Sequence, residues 1–369
     1  MFTNLLFELI QVALERKENL SQVPSASEWE AMFEEAEHQA IVGILQKGLE
    51  RLSVEQRPYL DLLLEWIGTV QIIKSRNELL DERCLELLRW LENAGLRACV
   101  LKGQGIARLY GNLGELRQPG DIDVYVDCGR EKAIERVERI GYSVEGWDYK
   151  HAHVCVWENT EVELHYRVEV MFNLFKNRKL QKWFKAHEDE IFGTSKDSEN
   201  SNTDDTNLTD GMVTPTVGFN VFYILLHIYR HFFTEGVGLR QIMDYYFVLK
   251  KCHADSTSLT DKYCAAVSEF GMERFAKGLM WVMQEVMAMP REWMLWEPDE
   301  KEGRYILEQV MEGGNFGHYS KNQTRLTGGL GYVVRHTRHS LHLMRRYPAE
   351  AIWIPVWMVW HKLWKISHR

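Results

Sequence analysis

Asp121 and Asp123 stand at i and i+2 in the stretch DIDVYV, which follows RACVLKGQG by a short interval. On a strand, alternate side chains point to the same face, so the two carboxylates converge while Ile122 and Val124 point the other way, into a core. The pattern therefore calls for a strand with one apolar face and one charged face. Two convergent carboxylates suit Mg²⁺, a hard cation that takes one or two of them together with substrate phosphates and water. Asp-x-Asp also occurs at strand ends as turn or cap chemistry, and it is the surroundings that favour the metal.

Those surroundings begin at Leu101-Lys102-Gly103-Gln104-Gly105, where the apolar run ACVL stops and the helical pattern IARLYGNL starts. Glycines at a strand-to-helix turn let backbone N–H groups face an anion, and a following helix N-terminus adds positive potential. Lys102 puts an ammonium where it can meet a phosphate. A tight turn with a solvated lysine is the plainer reading of K-G-x-G alone. A third carboxylate comes from HVCVWENTEVELHYRVEV, which reads as a hairpin turning at Glu158-Asn159-Thr160. On its second strand Val162 and Leu164 share one face, leaving Glu163 and His165 on the other, so Glu163 can complete a three-carboxylate cluster.

On these residues the chain resembles the nucleotidyltransferases with a DNA polymerase beta-like fold, and within them a bacterial branch known as an uncharacterised nucleotidyltransferase family. The matching elements are Leu101-Lys102-Gly103, Arg117, Asp121-Ile122-Asp123 and Glu163-Leu164-His165, over residues 96–168. A weaker likeness continues through His227, His231, Arg240 and Asp244 in HIYRHFFTEGVGLRQIMDYY, and through GGNFGH at 313–318. The wider superfamily opens with Gly-Ser or Gly-Gly, where this chain has Lys102-Gly103-Gln104.

The resemblance implies a metal-dependent enzyme that moves a nucleoside monophosphate from an NTP, with ATP favoured, to a hydroxyl on an unknown small molecule or protein. Two Mg²⁺ or Mn²⁺ ions would be held by Asp121, Asp123 and Glu163 with the NTP bound, clamping the attacking and leaving oxygens. Lys102, Gly103, Gln104 and Arg117 would bind the nucleotide, since phosphoryl-type transfer depends chiefly on positioning and charge. Arg117 can equally pair with Asp121 or Asp123. His165 would support the carboxylates, and His227, His231, Arg240 and Asp244 would line an acceptor pocket or stand behind it. The alternative is a non-catalytic nucleotide-binding or regulatory module retaining the fold.

The chain has 369 residues, 45% hydrophobic and 12% aromatic, enough for real cores. A net charge of −9 argues against a generic nucleic-acid binder, so nucleic acid is not the expected partner. Six cysteines form no C-x-x-C and read as reduced, packed thiols of a cytoplasmic protein. The start, MFTNLLFELIQVALERKENL, lacks a basic n-region and a small-residue cleavage site, so no signal peptide is expected. The longest apolar stretch, AIWIPVWMVW, is interrupted by Pro355 and is too short to span a bilayer.

Helical periodicity fills residues 1–95, with a capping box expected at Ser27 and Glu30. Strands and helices mix over 96–193. The polar, acidic run inside 194–213 reads as a flexible loop at a boundary, and helices return over 214–369. The expected class is α+β: a small mixed-sheet nucleotidyltransferase core flanked by N-terminal and C-terminal helical domains, the latter ending in a basic, Trp-rich tail.

Two further patterns leave alternatives open. His227 and His231, at i and i+4, suit a transition metal or a structural role, the latter preferred. His151, His153 and Cys155 alternate along a strand with His165 on its neighbour, and suit soft metal ligands or simply a sheet face carrying imidazoles near a phosphate cleft, the latter preferred. Residues 321–369 carry nine Lys or Arg against one acid, Glu350, a surplus of eight that leaves −17 on the remainder of a −9 chain. There Trp353, Trp357, Trp360 and Trp364 form one helical stripe. A stripe packed on the protein with a solvated basic face is preferred. Peripheral contact with anionic lipid, RNA or an acidic partner protein is the other reading.

Overall fold

A computed structural model describes residues 2–193, 211–255, 260–314 and 343–368. Residues 194–210 of the polar run, and 315–318 of GGNFGH, lie outside them.

The helices α1 (Phe2–Ala13), α2 (Ala26–His38), α3 (Val42–Arg51) and α4 (Leu60–Asn93) come first. The capping box at the start of α2 uses Ser25 and Glu28, two residues before the expected pair: the Ser25 side chain accepts from the Glu28 N–H, and the Glu28 carboxylate accepts from the Ser25 N–H. Both candidate pairs fit the same S-x-x-E spacing, and the helix takes the earlier one. In α4, Leu62, Trp66, Val70, Ile73, Asn77, Leu80, Cys84, Leu87 and Leu91 are buried at steps of three or four. One helix face is therefore covered along its 34 residues, about 51 Å. It ends where Gly95 takes φ +74°, and the Leu96 N–H closes on the Leu91 carbonyl at 2.9 Å.

The sheet comprises β1 (Ala98–Val100), β2 (Ile122–Val126), β3 (Ser143–Trp147), β4 (His151–Trp157) and β5 (Thr160–His165), in the order β1-β2-β5-β4-β3. β2 and β5 run parallel; every other pair is antiparallel. Between β1 and β2 lie the short α5 (Gln104–Ala107) and a 3₁₀ stretch, Arg108–Leu116; α6 (Arg130–Arg139) follows β2. The hairpin expected from the sequence is β4–β5. Its neighbour β3 carries no alternating apolar signal, because it is an outer strand with a bulge between Val144 and Gly146.

One sheet face is apolar. Ile122, Val124, Val126, Val162, Leu164, Ala152 and Val154 pack with the second half of α4 and with Ala133 and Val137 of α6. The chain continues through the helices α7 (Leu174–Ala186), α8 (Glu188–Ile191), α9 (Val217–Phe232), α10 (Leu239–Ala254), α11 (Thr260–Glu269), α12 (Glu273–Met287) and α13 (Glu300–Gly313), of which α9 and α10 border a cleft with Asp121 and Asp123 of the opposite, polar face. The chain closes with α14 (Pro348–Ala351) and α15 (Trp353–Ser367). α9 is buried almost all round, as a central helix must be. The N-terminal helices, the first half of α4 and α9–α13 share one continuous apolar cluster. The architecture is the expected mixed α+β one, with helices flanking a small sheet. No helix among the described residues is long and apolar enough to cross a membrane.

Candidate functional site

Parallel pairing of β2 with β5 brings distant carboxylates together. Asp123 lies opposite Glu163 and Tyr125 opposite His165, while on β4 His153 lies opposite Glu163 and His151 opposite His165. Asp121, just before β2, completes the set: oxygens of Asp121, Asp123 and Glu163 all lie within 4.8 Å of one another. Lys102 Nζ is 3.0 Å from Asp123 Oδ1. His165 Nε2 bridges Asp123 Oδ1 at 2.9 Å and Glu163 Oε2 at 3.1 Å, and His151 Nδ1 is 3.2 Å from the same Glu163 oxygen.

The charges stabilise each other. Burial pushes Asp123 up, but Lys102 and then the His165 hydrogen bond outweigh it and hold this carboxyl below the usual range. Glu163 is likewise driven low against burial, by His165 and Lys102. Lys102 loses to burial and gains more from Asp123, Asp121 and Glu163, so its ammonium is held above its ordinary value. His165 is raised by Asp123 and Glu163 against burial, whereas His151 is pushed down to about 4 by burial and by the His165 charge.

The turn after β1 is set by Gly103, at φ +57° and ψ −111°, a conformation closed to L side chains. α5 is only four residues long and runs into the 3₁₀ stretch, so the helix potential expected behind this turn is small. Gln104 is buried, and its side chain turns to α4, donating to the Asn77 carbonyl at 3.3 Å and to Asp81 Oδ1 at 3.0 Å. It does not line the cleft.

Arg117 does line the cleft, yet it pairs with neither Asp121 nor Asp123. Its fork grips Asp244: Nε to Oδ1 at 2.7 Å and Nη2 to Oδ2 at 2.8 Å, with the Tyr110 hydroxyl donating to Oδ1 at 2.6 Å. Asp244 outweighs burial and holds the Arg117 guanidinium charged. Arg240 donates to the Gln118 carbonyl at 3.2 Å, and burial, then Arg117, lower it to about 10.

His227 also faces the cleft. Its Nδ1 is 3.1 Å from Glu169 Oε2, and the other Glu169 oxygen is 3.4 Å from Lys150 Nζ. Burial, Lys102 and His231 push His227 down to about 3, so its imidazole is neutral. His231 packs edge-on at 4.4 Å between ring centroids and pairs with Glu235 at 2.8 Å, behind the cleft lining.

Lys102, Gly103, Arg117, Asp121, Asp123, His227, Arg240 and Asp244 thus border one cleft, along with Ile224, Ile228 and Gln241. Sequence reasoning passed over Glu169, Lys150 and Tyr110. Glu169 was reachable, since Glu163, His165, Arg167 and Glu169 continue one alternation; Tyr110 had no signal. Of the alternating His151, His153 and Cys155, the latter two are exposed and only His151 joins the cluster, so Cys155 is not the packed thiol expected.

The donor set fits a hard divalent ion: three convergent carboxylates, of which Asp123 and Glu163 are held in the charged form, beside the neutral imidazole of His151.

A family model described as uncharacterised nucleotidyltransferase matches residues 25–288, more than half of the chain. No curated protein and no solved structure matches.

Proposed function

From the premise that this chain belongs to the uncharacterised nucleotidyltransferase family, we propose that its cleft moves a nucleoside monophosphate from an NTP to a hydroxyl acceptor. The observation that carries this reading is the gathering of Asp121, Asp123 and Glu163 within 4.8 Å, facing Lys102 and the Gly103 turn.

Asp121, Asp123 and Glu163 would hold Mg²⁺ or Mn²⁺, and His165 keeps two of those carboxylates oriented and ionised. Bound divalent ions would neutralise triphosphate charge and acidify the acceptor hydroxyl. Lys102, which pairs with Asp123 at 3.0 Å, stands where its ammonium would meet the triphosphate. Gly103 leaves its backbone open to a phosphoryl oxygen at the same point. Arg117, its fork engaged by Asp244, acts by holding the Gln118–Asp121 turn in place, and Arg240 donates to that turn from α10.

His227 completes the acceptor side. Glu169 takes the Nδ1 proton in a hydrogen bond, which leaves Nε2 as an acceptor toward the cleft. With a pKa of about 3 it orients an acceptor hydroxyl rather than removing its proton.

The test is thermal stabilisation by Mg²⁺ or Mn²⁺ with each NTP, ATP first, alongside pyrophosphate release over a panel of hydroxyl acceptors. Stabilisation that requires both metal and NTP, and that disappears in Asp121→Ala/Asp123→Ala, is expected. NTP binding that ignores the metal and survives the double substitution would instead support a non-catalytic binding module.

A further inference from the structure

The tryptophans of α15 face inward. Trp357 is 6% exposed, and Trp357, Trp360 and Trp364 set their rings on Tyr149 at 5.6, 4.9 and 5.1 Å. Arg130 clamps the far end, 4.1 Å over Trp147 and 5.2 Å over Trp364. Tyr149, Trp147 and Arg130 thereby cover the docked side of the helix.

A different row faces out. Ile352, Val356, Val359, Leu363 and Ile366 are 53%, 44%, 63%, 61% and 61% exposed. Their steps of four, three, four and three place them in one line about 21 Å long. At its start Trp353 meets Phe175 of α7, edge to face at 5.5 Å, and Phe175 is itself 76% exposed. From Phe175 the same face of α7 continues through Arg178, Lys179 and Lys182, at i+3, i+4 and i+7, all exposed. Neither α7 nor α15 contains an acidic residue. Lys179 is paired with Glu269, whereas Arg178 and Lys182 have no ion-pair partner among the described residues.

We propose that α15 and the adjoining face of α7 form a docking surface for an anionic lipid bilayer, with the aliphatic row of α15 entering the interface and the α7 cations meeting the headgroups. An apolar line beside a face with surplus cations is the charge pattern that anionic membranes select. A second copy of the chain fits less well. The 4-3-4-3 spacing suits helix pairing, but the row is about two heptads, short of the three or four a coiled coil needs. Exposed Lys362, beside the row, would also flank such a seam with no acid on either helix to pair with it. The chain docks on the surface without crossing, in keeping with the absence of a spanning helix among the described residues.

Flotation of the full chain with vesicles tests this, comparing phosphatidylcholine alone with phosphatidylcholine containing about one-third phosphatidylglycerol. Binding to the anionic vesicles only is expected. Val359→Glu/Leu363→Glu should weaken it by about tenfold or more, and Arg178→Glu/Lys182→Glu by several-fold, with an unchanged melting temperature because all four side chains are exposed. Equal binding to both vesicles, or none by folded protein, would overturn the proposal. So would a dimer in light scattering that Val359→Glu/Leu363→Glu converts to monomer. The outcome is independent of nucleotidyl transfer, since none of these residues borders the cleft.

Discussion

Two buried charge clusters border the same cleft, and they are built on opposite plans. Around Asp244 the account closes: Arg117 takes both carboxylate oxygens and Tyr110 adds a hydroxyl to one of them. Around Asp123 it stays open, because three carboxylates share Lys102 and His165. A closed, bidentate pair is a strut that joins the loop before β2 to α10. An open one, with surplus negative charge gathered at a cleft, is a receptor for cations. Sequence type does not separate them, since both are Asp with a basic partner; the ratio of charges in space does.

The largest expected effect strikes the strut. Asp244→Ala strands the Arg117 guanidinium in the interior and should cost about 3–5 kcal/mol of stability, measured by chemical denaturation. Arg117→Leu/Asp244→Leu, which removes both charges, should recover most of that loss. If the double substitution is as unstable as the single, the closed-pair account fails.

Asp123→Asn addresses the open cluster and should do the reverse. It lowers an excess of negative charge, so stability should change far less than in Asp244→Ala. Metal-dependent pyrophosphate release should fall by about a hundredfold or more, at 1.36 kcal/mol per factor of ten. A variant that loses stability and activity together would erase the distinction between the clusters.

The local half of this site was legible in the sequence. Period-two alternation places Asp121 with Asp123, and Glu163 with His165, and a glycine turn after an apolar run marks Gly103; each depends on neighbours a few residues apart. What joins them is non-local. β2 pairs with β5 across β3 and β4, and no pattern within DIDVYV or TEVELH states that parallel register. Arg117 and Asp244 were each singled out as site residues, but their partnership spans 127 positions and rests on how α10 crosses the 3₁₀ stretch. At the C-terminus the tryptophan stripe is legible from its steps of four, three and four. The exposed aliphatic row, on the same helix, became visible only once burial had shown which stripe was already covered.

Glu350 extends the comparison to a carboxylate with neither plan. It is 2% exposed and forms no ion pair among the described residues, accepting instead from the Phe172 and Asn173 N–H groups at 2.5 and 3.4 Å. Burial raises it to about 7, against those hydrogen bonds and Lys176. A raised carboxyl favours folding while protonated, so its contribution is fully present below pH 4.5, the unfolded value, and is lost as pH rises through about 7. The span corresponds to at most about 3 kcal/mol. Glu350→Gln should flatten that part of the stability profile between pH 5 and 8, and an unchanged profile would mean that the carboxyl is stabilised as an anion after all.

The smallest effect separates the turn that serves the open cluster from an ordinary helix end. Gly103 and Gly95 both have positive φ, +57° and +74°, and in neither case would a Cβ collide: the nearest atoms are the Asp121 carbonyl oxygen at 3.5 Å and Arg136 Nη1 at 3.9 Å. The cost of Ala at each is therefore backbone strain, about 1 kcal/mol at Gly95 and about 1–3 kcal/mol at Gly103, whose ψ of −111° lies outside the left-handed basin. Gly95 caps α4 away from the cleft, so Gly95→Ala should lower the melting temperature and leave metal-dependent NTP binding intact. Gly103→Ala should weaken that binding in addition, because relaxing the strain moves the N–H groups beside Lys102. Equal loss of binding in both variants would show that the turn contributes stability alone.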